Sequence, residues 1–163
     1  MRISEHISYE EAIRSNTAKR KGIRNTPTPD QLENMKRLAK NIFEPLRAHL
    51  NKPIRINSFY RSQQLNKAIG GSSKNGKQTS QHCKGQAIDL DDNLGGLTNM
   101  AMMYYIKDNL NFDQMIIEYP VKGVPQWLHV SYVSSFQNRN RILVAKRIKG
   151  KTSYLVWDGK NHK

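Results

Sequence analysis

The segment Ser80–Leu90, SQHCKGQAIDL, places an aspartate inside the apolar run Ala87–Leu90, with a histidine just upstream. The run predicts a short buried strand, and the polar, glycine-containing residues before it predict a loop. A carboxylate taken out of water is costly unless it is paired or coordinates a metal. The rest of the chain must therefore supply Asp89 with a partner, and the fold must deliver that partner to the strand.

Candidate partners are few. Of the five histidines, His6 and His162 lie near the chain ends and His49 closes a helical pattern, whereas His82 and His129 flank strand-like runs. In QWLHVSY, alternation puts Trp127 and His129 on one face and Leu128 and Val130 on the other. Glu118 stands on the preceding run, IIEY, and a turn at Gly123 would carry it towards His129. A catalytic zinc takes three protein ligands and leaves a fourth position open. His82, Asp89 and His129 can supply the three, with Glu118 as general base. Each residue also has a plainer explanation: hydrogen-bonded structural histidines, an acidic turn formed by Asp89 with Asp91 and Asp92, and a strand-end Glu118 paired with lysine. Cys83, next to His82 in an extended chain, is expected to point away from the site as a small packed residue.

The surrounding pattern predicts an α+β fold with a small, mostly antiparallel sheet. Ser8-Tyr9-Glu10-Glu11 reads as a capping box opening a short helix to about Arg14. A basic, turn-rich connector follows, then Thr28-Pro29 starts a helix with Leu32, Met35, Leu38, Ile42, Leu46 and Leu50 on one face. Pro45 should kink or end it. Residues Pro53–Ser58 predict a strand, Ser62–Ile69 a short helix, Gly70–Thr79 a mobile polar loop, and Thr98–Asn109 an amphipathic helix. Strands are predicted at Gln114–Tyr119, Trp127–Val133, Arg141–Ile148 and Ser153–Trp157, with VKGVPQ as the first hairpin loop. No linker or repeat divides the 163 residues, so one domain spanning 1–163 is expected, ending in a basic strand hairpin at about 139–158.

The net charge is +14, and the last 30 residues carry eight Lys or Arg against one Asp. Such a surface favours a polyanionic partner: nucleic acid, an anionic membrane surface or an anionic wall polymer. Nucleic acid is the weakest of these readings. No nucleic-acid motif is present, the aromatics form no stacking platform, and charge leaves SQHCKGQAIDL unexplained. No apolar run approaches the roughly 18 residues of a membrane span. MRISEHISYEEAIRS has no signal-peptide core, so synthesis in the cytoplasm is the expectation. A single cysteine excludes an internal disulfide.

The order SQHCKGQAIDL, IIEY, WLHVSY resembles the zinc D-alanyl-D-alanine carboxypeptidases and L-alanyl-D-glutamate endopeptidases of peptidoglycan, of the hedgehog/DD-peptidase fold. Their motif S-x-H-x-x-G-x-A-x-D is met by Ser80, His82, Gly85, Ala87 and Asp89, and SFYRSQQLN carries their Y-R-S. The likeness runs from about Ser8 to Tyr132. It implies one zinc ion held by His82, Asp89 and His129, with Glu118 as catalytic base. Arg61 would bind substrate or stabilise the oxyanion, and Ser80 would bind the peptide. Tyr60 and Trp127 are candidates for shaping the cleft. Several members place the glutamate three residues before the last histidine, whereas ten residues lie between Glu118 and His129 here. The implied function is hydrolysis of peptidoglycan peptide stems, as in a phage or prophage endolysin that reaches the wall after holin release. The alternative is a zinc-containing wall-binding module without turnover.

Overall fold

The computed structural model describes residues 1–92 and 97–163. Its helices are α1 (Tyr9–Ala12), α2 (Asn16–Lys21), α3 (Pro29–Leu38), α4 (Glu44–Leu50), α5 (Gln63–Ala68) and α6 (Leu97–Asn109). Its strands are β1 (Arg55–Ser58), β2 (Ser73–Lys74), β3 (Lys77–Gln78), β4 (Ala87–Asp91), β5 (Gln114–Glu118), β6 (Trp127–Ser131), β7 (Arg141–Ile148) and β8 (Lys151–Val156). Six of them form one sheet in the order β1-β4-β6-β5-β7-β8, and β2 pairs with β3 separately. Within the large sheet only β5 and β7 run parallel. The α+β class and mostly antiparallel sheet are as expected.

Alternation along the strands divides the sheet into two working faces. Ile88, Leu90, Met115, Ile117, Leu128, Val130 and Val144 pack with Met35, Leu38, Ile42 and Leu46 of the long helical segment and with Met102, Met103 and Ile106 of α6. This is the core. The intervening residues Asp89, His129, Ile116 and Glu118 occupy the opposite face, where the register sets Asp89 opposite His129 and His129 opposite Ile116. An acid in AIDL is thus turned away from the core formed by its own neighbours.

Local chemistry explains the helix ends. Ser8 accepts from the Glu11 amide, and Thr28 with Gln31 forms a reciprocal capping box ahead of Pro29. Proline 45 has its effect one turn early: α3 gives way to a π-helical turn at Ala39–Phe43 before α4 resumes. Pro45 has no N–H to return to the preceding turn, and the wider turn absorbs the missing bond.

Three expectations change. The basic connector contains a true helix, α2, capped by Ser15 and stopped by Gly22 in the left-handed conformation. The polar segment 70–79 holds the β2–β3 hairpin, turned by Asn75 and Gly76, both at positive φ. Residues Gln81–Lys84 form a 3₁₀ turn rather than extended chain, although Cys83 is buried as foreseen. His162 is also buried despite its place near the end, accepting a hydrogen bond from Trp157 Nε1 at 2.9 Å.

Candidate metal centre and active site

The 3₁₀ turn carrying His82 is held from below by α3. Gln31 Nε2 donates to the Cys83 carbonyl at 2.9 Å and Asn34 Nδ2 to that of Lys84 at 3.0 Å. Gly85 closes the turn with φ +69, and a Cβ there would stand 2.3 Å from the Gln31 carbonyl oxygen. Only glycine permits that approach in that conformation.

His82 is almost wholly buried, and its Nδ1 lies 2.7 Å from the Phe59 carbonyl oxygen. A carbonyl can only accept, so Nδ1 carries the proton and Nε2 presents a lone pair. That Nε2 faces Asp89 Oδ1 at 3.2 Å and His129 Nδ1 at 3.2 Å, while His129 Nδ1 lies 3.0 Å from Asp89 Oδ1. Burial pushes the His82 imidazole below its ordinary value, which favours its neutral form. Burial opposes charge on Asp89 too, but His82 and His129 hold its carboxyl well below the usual carboxylate range. A neutral nitrogen and a carboxylate oxygen, both acceptors, therefore point at one another in a buried place.

A cation between them would resolve the conflict. Nitrogen and oxygen ligands at about 2.0–2.1 Å around a tetrahedral zinc stand roughly 3.3 Å apart. The observed triangle, with sides of 3.0–3.2 Å, fits that spacing. The other Asp89 oxygen, Oδ2, accepts from Arg61 Nη2 at 2.6 Å, and Arg61 Nε donates to Ser58 Oγ at 2.8 Å. Two of the five guanidinium donors are thereby committed to orienting the carboxylate.

Glu118 ends β5 on the same face. It is opposite Trp127, two residues along β6 from His129, and such diagonal neighbours are about 7–8 Å apart, within reach of a long side chain. Burial pushes the Glu118 carboxyl up to about 7, with His129 opposing the rise and Asp89 reinforcing it. The next residue, Tyr119, has φ +44, a conformation uncommon for a bulky side chain, and the strand turns away there. The β5–β6 connection closes as a hairpin, with Val121 bridged to Val124 and the Gln126 amide bonded to the Glu118 carbonyl.

Arg61, Ser80, His82, Asp89, Glu118 and His129 all line one cleft of about 860 Å³. The six residues expected to hold metal or to act on substrate are thus brought to the same place. Ser80 is buried there, and its hydroxyl has no hydrogen-bond partner among the described residues. Trp127 lines the cleft, whereas Tyr60 belongs to the core. A second carboxylate–histidine group, Glu5, His6 and Glu44, is mostly exposed and has its ion pair closed between His6 and Glu44 at 2.7 Å.

Residues 5–130 match the model of a family described as Peptidase M15. The chain belongs to this family. M15 peptidases are zinc-dependent metallopeptidases, in keeping with the donor set just described. No curated protein matches the chain. Among the described residues no helix is long and apolar enough to cross a membrane.

The M15 site rests on polar clamps that sequence reasoning missed. Asn25 Nδ2 donates to the carbonyls of Ile13 and Tyr60, and its Oδ1 accepts from the Ser62 amide at 2.7 Å, which fixes the chain on either side of Arg61. Asp113 accepts two bonds of 2.7 Å from Arg139, and one each from Gln81 and Ser131, joining the 3₁₀ turn to the ends of β6 and β7. Asn99 donates to the carbonyls of Pro125 and Gln126 and to Asp91, holding the entry to β6. No periodicity marks such residues, because their partners are single groups remote in sequence.

Proposed function

We propose that this chain is a zinc peptidase that hydrolyses peptide bonds in the stems of peptidoglycan, of the D-Ala-D-Ala carboxypeptidase or L-Ala-D-Glu endopeptidase type. The observation that carries this reading is the buried triangle of His82 Nε2, Asp89 Oδ1 and His129 Nδ1, beside a carboxyl whose affinity for protons suits proton transfer near neutral pH.

His82, Asp89 and His129 would hold the metal, with the Phe59 carbonyl fixing the His82 tautomer and Arg61 fixing the carboxylate. Zinc bound there supplies Lewis acidity, lowering the pKa of water and polarising a carbonyl. Glu118 accepts the proton released from water at its carboxylate and returns it to the leaving amine, so that one water is consumed and an acid and an amine are formed. The remaining Arg61 donors and the Ser80 hydroxyl bind the substrate peptide and its developing charge. The basic C-terminal residues attract anionic wall polymers through contacts that salt weakens. An endolysin of a phage or prophage, reaching the wall through a holin, accommodates these properties.

The deciding experiment pairs metal analysis with digestion of purified peptidoglycan by wild type and Glu118→Ala. One zinc in both proteins is expected, with new peptide termini released by the wild type and a loss of about 10²–10⁴-fold in the variant. The termini identify the bond. Zinc in both with cleavage by neither, across several wall chemotypes, would favour a silent binding module. Absence of zinc from both would end the peptidase reading.

A further inference from the structure

The β7–β8 hairpin lies beyond the family match, which stops at residue 130, yet Leu143 and Tyr154 from it line the same cleft as the metal-binding residues. Register explains how. Glu118 pairs with Trp127 on one side and Ala145 on the other, and Ala145 pairs with Tyr154. Paired residues share a face, so Trp127, Glu118, Ala145 and Tyr154 form one row across four strands. Tyr154 is two strands from Glu118, about 9.5 Å by backbone spacing. Between them stands only a methyl group, that of the fully buried Ala145. A phenol can lean across that gap.

Two nearby phenols differ in their commitments. The Tyr119 hydroxyl is hydrogen-bonded to Thr152 Oγ1 at 2.8 Å. The Tyr154 hydroxyl has no hydrogen-bond partner among the described residues, and the residue is more than half exposed and lines the cleft. We propose that the Tyr154 hydroxyl donates a hydrogen bond to the stem peptide seated beside Glu118, so that the hairpin outside the family match supplies a substrate-binding residue to the reaction centre. The inference rests on the peptidase reading above. Burial and the neighbouring Glu118 carboxylate push the phenol above its ordinary value, so its proton is retained for donation across the neutral range. Arg61, which lines the same cleft, has already committed donors to Asp89 and Ser58, so a further donor from Tyr154 adds to what the cleft can offer a peptide.

Tyr154→Phe removes the hydroxyl and keeps the ring, so folding is preserved. The zinc-loaded variant is compared with wild type on a soluble synthetic stem peptide, with zinc stoichiometry, thermal midpoint and the pH profile of kcat/KM recorded. A fall of about 10–100-fold in plateau kcat/KM, with zinc and midpoint unchanged, is expected for loss of one donor to the reacting peptide. Plateau activity within twofold of wild type would overturn the proposal. So would a variant in which only the pH limb moves, since Tyr154 would then act on Glu118 instead of on substrate. Failure of the wild type itself to cleave would overturn the peptidase reading, and the Tyr154 role with it.

Discussion

Strands β4 and β6 and strands β7 and β8 belong to one sheet, yet their side chains live in different surroundings. In the first pair, Ala87 to Leu90 are all buried, core residues cover one face, and the ligand-type atoms on the other are mutually engaged at 3.0–3.2 Å. In the second pair, β8 exposes Tyr154, Leu155 and Val156, and Lys146, Arg147, Lys149 and Lys151 cluster around the turn. Arg147 lies over the Tyr119 ring, 5.9 Å from its centre. The first region over-determines the position of a few atoms, as the proposed metal site would require. The second leaves side chains free to meet something larger. One sheet thus holds a tightly fixed polar cluster and an open basic face on different strands, with Tyr154 reaching from the second into the cleft of the first.

The sharpest way to break this contrast is at Asp89. Asp89→Ala removes one proposed metal ligand and leaves the Arg61 guanidinium, which is largely buried, without its ionic partner. We expect loss of stoichiometric zinc by elemental analysis, activity reduced by roughly a thousandfold or more, and stability in denaturant lower by about 3–5 kcal/mol. Preserved zinc binding would show that the two imidazoles suffice.

A smaller effect sharpens the boundary between the regions, where Asp113 ties β5 to Arg139. Burial raises the Asp113 carboxyl, but bonds from Arg139 and Gln81 outweigh it, and the folded value lies below the ordinary one. The sign follows from linkage: the unfolded chain binds the proton more readily, so the stabilisation is complete above about pH 4 and is lost as pH falls through the lowered folded value. Asp113→Asn should flatten the acid limb of a stability–pH curve measured by urea unfolding, while stability at pH 7 also drops. An unchanged acid limb would mean that Asp113 does not govern this transition.

Legibility in the sequence divides along similar lines. Alternation in QWLHVSY was enough to put Trp127 and His129 on one face, because a strand has only two faces, whereas AIDL marked a buried strand without saying which way Asp89 turns. The β2–β3 hairpin was also marked, by Asn75-Gly76, but its flanks lack the apolar alternation that usually accompanies the turn. Helix α2 had its cap in Ser15 and its stop in Gly22, hidden by a run of basic residues that suggested a connector. The roles of Asn25, Asn99 and Asp113 were not legible. Each bonds to groups brought near only by the complete fold, and nothing in its immediate sequence distinguishes it from a surface polar residue.

The smallest expected effect tests the recognition side. Lys149→Ala/Lys151→Ala alters exposed residues at the hairpin tip and should change stability by no more than about 0.5 kcal/mol. Binding to purified walls should weaken severalfold at low salt and converge with wild type near 1 M, where screening is nearly complete. Cleavage of a short soluble stem peptide should be unaffected. Equal wall binding at every salt concentration would separate the charge from wall attachment.

The parallel pairing of β5 with β7 has a consequence for how the last two strands are tethered. Because β7 runs with β5, the chain must travel through residues 132–140 before the last two strands begin, and that passage lies outside every strand of the sheet. The antiparallel set β1-β4-β6-β5, which carries Asp89 and His129, is already complete when the passage starts. The final hairpin thus joins the rest of the chain through one passage, yet Val144 packs in the core and Leu143 and Tyr154 line the cleft, so a shift in residues 132–140 would be felt at the site itself.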